Sequence, residues 1–175
     1  MNREVIERVD KYLNICANSE HIIDKEMILE AKTLKAEAYL NLEEWQTALD
    51  LFKLLYEDGM KRQNLVFCCY IAGGISRAQY GLQNYHEAII EGNRAVSDNW
   101  YHVRVHKCIA LSQMKLGDIA AAKKTITRGI LHEKQWDEKN RKENEELLRM
   151  ILAEEAKNTK SKGKKKGKKK NRGKK

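Results

Sequence analysis

Two histidines, His102 and His106, lie four residues apart and would share one face of a helix. This is the spacing of a two-histidine metal site, but the glutamate that accompanies it in zinc metalloproteases is missing, and no third ligand lies at a recognisable spacing. Two ligands are too few to hold a metal ion. The sequence therefore predicts no metal site and gives His106 a role in packing or in lining a groove.

The four cysteines, Cys16, Cys68, Cys69 and Cys108, show no Cys-x-x-Cys spacing. A bridge between the adjacent Cys68 and Cys69 would strain the start of a helix. We expect four free thiols in a reducing compartment.

Catalytic motifs are missing from the sequence. It contains neither the Gly-x-Ser-x-Gly of a serine hydrolase nor the phosphate loop that ends in Lys-Ser or Lys-Thr. Gly73-Gly74 lies inside a predicted helix, which indicates close backbone approach and not phosphate binding. The chain is predicted to be non-enzymatic and to need no cofactor.

The elements that position these residues are predicted to be helices throughout. The 175 residues include no proline and ten glycines, so little interrupts a helix. Asp58-Gly59 and Gly117-Asp118 mark two ends, because glycine can take the positive φ that closes a helix and aspartate can cap the next one. The predicted helices lie near 3–17, 21–41, 44–58, 65–81, 84–97, 100–116, 119–133 and 138–157.

Three alanines recur at regular intervals along the chain. Ala48, Ala88 and Ala122 each follow a leucine by six residues. The second and third are 34 residues apart, and the first and second are 40 apart, which is the same period with six residues inserted. A helical pair of 34 residues is typical of the tetratricopeptide (TPR) repeat, and the chain resembles the TPR family over residues 29–136.

The resemblance implies an all-α, right-handed α-solenoid of antiparallel helix pairs with capping helices at both ends. The eighth position of each unit, where two helices approach closely, is small, as the family requires. The family's proline at the unit boundary is missing. The small residues are Ala36, Ser76 and Ala110, and the residues that fill the gaps between units are Trp45, Tyr85 and Ile119. The predicted divisions are an N-terminal cap or partial repeat at 1–28, three units at 29–62, 69–102 and 103–136, a C-terminal capping helix at 137–156 and a tail at 157–175.

The tail differs sharply in composition from the rest of the chain. Residues 157–175 carry twelve basic residues and no acidic one, whereas residues 1–156 carry a net charge of −3. Such a segment cannot bury enough apolar area to offset its ordering entropy, so a disordered basic tail is predicted. Its candidate polyanion-binding residues are Lys164, Lys165, Lys166, Lys168, Lys169, Lys170 and Arg172.

Three polyanionic or acidic partners remain open for the tail: nucleic acid, an anionic membrane surface and a nuclear import receptor. The tail has no aromatic residue to stack on bases, so RNA binding would be unselective. No lipidation signal accompanies the charge, so the tail alone would not anchor the chain stably. A merely solubilising tail is the fourth interpretation.

In TPR proteins the first helix of each unit lines a concave groove, so the resemblance implies a protein or peptide ligand there. Mapped onto this chain, the groove runs from an acidic to a basic end, with Gly73, Gly74 and Gly81 between them. The acidic part of a ligand would lie at the basic end. The predicted groove residues are Glu37, Tyr70, Arg77, Tyr80, Arg104, Lys107, Leu111 and Met114.

One mode of binding is not expected. Chaperone-binding TPR domains grip a C-terminal carboxylate with five side chains, and at their positions this chain has Thr33, Glu37, Gly74, Arg104 and Cys108. Only Arg104 fits the pattern, and Glu37 would repel the carboxylate. The tails of heat-shock chaperones should therefore not be gripped in this way.

Two functions stay open from the sequence: a protein-interaction scaffold or adaptor, and an RNA- or ribosome-associated component attached through its tail. No stretch approaches the roughly 18 apolar residues of a membrane span, and none resembles a signal peptide. A soluble protein of the cytoplasm, or of the nucleus through its basic tail, is predicted. Three units are the minimum for a stable stack, so the chain could also be part of a larger repeat protein.

Overall fold

The computed structural model describes residues 1–19, 24–96, 103–132 and 138–170, and over these residues the chain is helical with no strand. The all-α prediction is confirmed, and the predicted helices agree with the observed ones to within a few residues at most ends. The helices are α1 (Asn2–Ala17), α2 (Lys25–Asn41), α3 (Trp45–Lys61), α4 (Leu65–Gly81), α5 (Tyr85–Ala95), α6 (Val103–Lys115), α7 (Ile119–His132) and α8 (Glu138–Lys170).

The turns after α2, α3, α4 and α6 share one geometry. In each, a backbone N–H donates to a carbonyl five residues earlier, as from Asn84 to Gln79 at 2.9 Å and from Asp118 to Gln113 at 2.9 Å. The residue before that donor has positive φ, and only at Gly117 is it a glycine. These are Schellman turns, which satisfy the last carbonyls of one helix and reverse the chain into the next. The predicted stop at Gly117-Asp118 is confirmed, with the Asp118 carboxylate accepting from the Ala121 N–H at 3.0 Å.

The helices stack in chain order, each packing against its sequence neighbours, which is the arrangement of an α-solenoid. The small positions lie where helices touch. All six of these side chains are fully buried: Ala36, Ser76, Ala110, Ala48, Ala88 and Ala122. The Ser76 hydroxyl donates to the Ala88 carbonyl at 2.7 Å, so α4 and α5 approach closely at this pair.

The glycines of α4 serve packing rather than the groove. A Cβ on Gly74 would lie 2.5 Å from Cζ of Phe52, and one on Gly73 would lie 3.0 Å from Cγ2 of Val105. Gly81 lies against the Trp45 ring in the same way. The expectation that these glycines line the concave face is wrong, because their missing side chains make room for neighbouring helices. The close approach inferred from Gly73-Gly74 is found as the packing of the Val105 and Phe52 side chains on the α4 backbone.

The last helix, α8, packs against α7 and α6. Leu147 and Ile151 of α8 are buried against Ala122 and Ile126 of α7. The helix then continues to Lys170, where the composition predicted disorder from Lys157 onward. No proline interrupts this stretch, lysine is a good helix former, and basic residues at a helix C-terminus suit its dipole. Among the described helices, none is long and apolar enough to cross a membrane.

Candidate binding groove

A cleft of about 410 Å³ extends from the C-terminal ends of α2 and α4 to α6 and the start of α8. It brings together five of the predicted groove residues, which come from two different units. Those five are Arg77, Tyr80, Arg104, Lys107 and Leu111; the cleft is also lined by Leu40, Asn41, Glu43, Trp45, Cys108, Lys139, Asn140 and Glu143.

We call this cavity the basic cleft, because Arg77, Arg104, Lys107 and Lys139 line it. Its floor is apolar. Leu40 is buried, and Trp45 and Leu111 pack partly buried against the cores of their units. The Tyr80 ring lies 5.8 Å from the Tyr85 ring in a tilted arrangement, and burial raises the pKa of the Tyr80 hydroxyl. A large apolar side chain of a ligand could therefore be accommodated between charged walls.

The cations of the cleft are mostly engaged with carboxylates of neighbouring helices. Arg77 donates to both carboxylate oxygens of Glu37, at 2.8 and 3.2 Å, and so joins α4 to α2. Lys107 donates to Glu143 at 2.7 Å and joins α6 to α8. This hydrogen bond and charge hold the pKa of Glu143 below its usual value. Both pairs are partly exposed, so each contributes at most about 1 kcal/mol and can exchange with a ligand carboxylate at low cost.

Two further cations complete the basic wall. Arg104 is exposed at the cleft, and its charge also lowers the pKa of Glu143. Lys139, in the first turn of α8, was not predicted, because the repeat pattern ends before this helix and gives no concave position to a cap. With Glu37, which pairs with Arg77, the four cations of the cleft meet three carboxylates, Glu37, Glu43 and Glu143; the net charge is positive, which favours an acidic ligand.

Three predicted groove residues do not line the cleft. Glu37 is paired with Arg77, and the other two lie elsewhere. Tyr70 lines a separate cavity of about 430 Å³ between the N-terminal halves of α2 and α4, with Glu26, Leu29, Glu30, Thr33, Leu34 and Phe67. Met114 packs against the core between α6, α7 and α8 and lines neither cavity. Helical position alone could not separate these cases, because the depth of a side chain depends on how the next helix crosses it.

The positions of the chaperone-tail clamp are unsuited to a carboxylate. Thr33 is buried and its hydroxyl donates to the Leu29 carbonyl at 2.8 Å. Cys108 is buried beside Ser76, and this burial raises the pKa of its thiol to about 11. Glu37 is held by Arg77.

The remaining candidates from the sequence either pack inside the protein or lie outside the described residues. His106 is buried with its Cβ close to Gly129, where a Cβ would lie 2.8 Å away, so the packing role fits. His102 lies outside the described residues, as does Arg172. In the described ranges, no three His, Cys, Asp or Glu side chains come together as metal ligands. Cys16, Cys68, Cys69 and Cys108 are free thiols. The backbone of the six candidate lysines Lys164 to Lys170 is in α8, and nothing is described of their side chains.

No protein-family model matches this chain, and no curated protein matches it. A solved structure is similar: TPR-like repeats assigned to a kinesin light chain of Podosopora anserina, with a TM-score of 0.61 and 15% sequence identity, over 91% of this chain and 89% of that one. At this identity the similarity concerns the fold alone. Together with the stacked helix pairs and their buried small positions, it shows that the chain is a TPR-like α-solenoid, as the 34-residue spacing predicted.

Proposed function

We propose that the protein is a non-enzymatic interaction scaffold that binds an acidic peptide or protein segment in the basic cleft. The observation that carries the proposal is the arrangement of Arg77, Arg104, Lys107 and Lys139 around an apolar floor. An extended or helical segment with acidic residues beside a large apolar side chain complements both features. The lysine-rich end of α8 would add electrostatic contact or direct localisation.

Reversing the charge of Arg104 tests this function. Arg104→Glu should weaken the binding of an acidic peptide about tenfold or more, because an attractive charge becomes repulsive at the cleft. Affinity would be measured by fluorescence anisotropy on the full chain, and circular dichroism would confirm unchanged helicity.

The matched control is Lys124→Glu, which makes the same change of charge on the exposed face of α7 outside the cleft. Equal weakening in both variants would mean that net charge alone governs binding. An unaffected Arg104→Glu variant would place the binding surface elsewhere.

The twelve basic residues of 157–175 favour a second candidate, an RNA- or ribosome-associated component attached through this segment. The slope of log affinity against log salt should be about −4 to −8, at about −0.7 per phosphate contact of single-stranded RNA. Replacing these lysines by glutamine should abolish binding, whereas scrambling residues 160–175 should leave it unchanged, because charge and not order is recognised. Retained affinity after neutralisation, or strong loss on scrambling, would contradict attachment through the tail.

A further inference from the structure

The six residues inserted between the first and second units lengthen the hairpin of α3 and α4. Lys61, the last residue of α3, lies thirteen residues after Ala48, whereas α5 ends at Ala95, seven residues after Ala88. The inserted residues 63–68 form the Schellman turn and the first residues of α4.

The inserted segment is well fixed in place. The Asn64 side chain accepts from the Phe67 N–H at 3.0 Å and caps α4. Gly59 of α3 lies opposite, where a Cβ would come 2.8 Å from the Phe67 ring and 2.9 Å from the Cys68 sulfur. Phe67 therefore packs down onto α3 because Gly59 has no side chain. The end of the lengthened hairpin is therefore held in place by the Asn64 cap and by the packing of Phe67 on α3.

Phe67 of this hairpin lines one side of the open 430 Å³ cavity between α2 and α4. Buried Leu29 and Thr33 form its floor, and Phe67 and Tyr70 line the side that α4 contributes. Apolar surface continues outward from the cavity, since Leu34 is 58% exposed and Val66, next to Phe67, is 47% exposed. Exposed apolar residues grouped around a concavity are typical of interaction sites.

The charges at the cavity are opposite to those of the basic cleft. Both charged side chains that line it, Glu26 and Glu30, are glutamates one helical turn apart on α2. Glu26 contacts Arg62 of the lengthened hairpin at 3.4 Å with its side chain still 64% exposed. The lysine-rich segment of this chain matches the charge but has no large apolar side chain to fill the cavity.

We propose that this cavity, to which the inserted segment contributes Phe67, is a second docking site for a peptide segment of another protein in which a large apolar side chain is flanked by lysine or arginine. The apolar side chain enters between Leu34, Phe67 and Tyr70, and the cation contacts Glu26 and Glu30. The cavity shares no lining residue with the basic cleft, and the proposal does not depend on the proposed function of that cleft.

A random peptide display library, selected on the full chain, tests the proposal. Free peptide of residues 157–175 in excess removes peptides that bind only the basic tail. We expect enriched peptides that combine a large apolar residue with adjacent lysine or arginine. Their affinity, measured by anisotropy, should fall about tenfold or more in Glu30→Lys and in Val66→Lys.

Leu54→Lys is the matched control, because it places the same charge on an exposed apolar position of α3 outside the cavity. Lack of enrichment of apolar-basic peptides, or affinities unchanged in Glu30→Lys and Val66→Lys, would overturn the proposal. Enrichment of acidic peptides alone, lost in Arg104→Glu, would overturn it while supporting the basic cleft. Enrichment of apolar-basic peptides without acidic peptides would support this second docking site and would contradict the basic cleft as a binding site.

Discussion

Ala88→Trp should lower the free energy of unfolding by about 3 kcal/mol or more. Ala88 is fully buried at the point where α4 and α5 approach, and its carbonyl accepts the Ser76 hydroxyl. An indole there must push the two helices apart and break this contact. Thermal or urea unfolding, followed by circular dichroism, would measure the loss.

Ala122→Trp, at the equivalent position of the third unit, should have a similar effect, since Ala122 is also fully buried. Lys124→Ala on the exposed face of α7 is the control and should change the stability by less than about 0.5 kcal/mol. Similar midpoints for all three variants would contradict the alignment of the units on these alanines.

Ile151→Ala in α8 should cost about 2–5 kcal/mol, because it leaves a cavity in the interface that covers the last unit. Ile151 is fully buried among Ala122, Ile126 and Leu147. A solenoid end without a well-packed cap exposes the apolar face of its last unit, so we also expect increased self-association. The urea midpoint and light scattering at rising concentration would measure both effects.

Its neighbour supplies a closely matched control. Leu152 is 41% exposed, and Leu152→Ala removes the same number of carbon atoms from the same helix at a cost of about 1 kcal/mol or less. Equal losses from the two substitutions would mean that α8 does not pack on α7 through the face described above.

The repeat period and the small positions carried most of the fold prediction. The spacing of Ala48, Ala88 and Ala122 predicted the helix pairs of the three units, and the lack of proline predicted that the chain is helical. Both predictions depend on local chain geometry. The extension of α8 through 157–170 was not predicted, because composition weighs charge repulsion and apolar content but not the continuation of a helix already started at Glu138.

The groove was predicted in part. Arg77, Arg104 and Lys107 meet in one cleft because they occupy equivalent helical faces. Their partners Glu37 and Glu143 depend on how neighbouring helices cross, which a repeat pattern does not contain. The inserted six residues were recognised as a change of spacing. Their position next to α2 became visible only in three dimensions, through Phe67 and Gly59.

The distribution of the cysteines provides a chemical measure of how the stack opens. With its pKa raised to about 11 by burial, the Cys108 thiol is ionised in roughly one molecule in ten thousand at pH 7, and alkylating reagents attack the thiolate. Cys16 in α1 is only half-buried, whereas Cys68 at the start of α4 and Cys108 in α6 are buried. Iodoacetamide should therefore label Cys16 first. The slower rate at each buried thiol then reports the frequency with which that part of the solenoid separates from its neighbours.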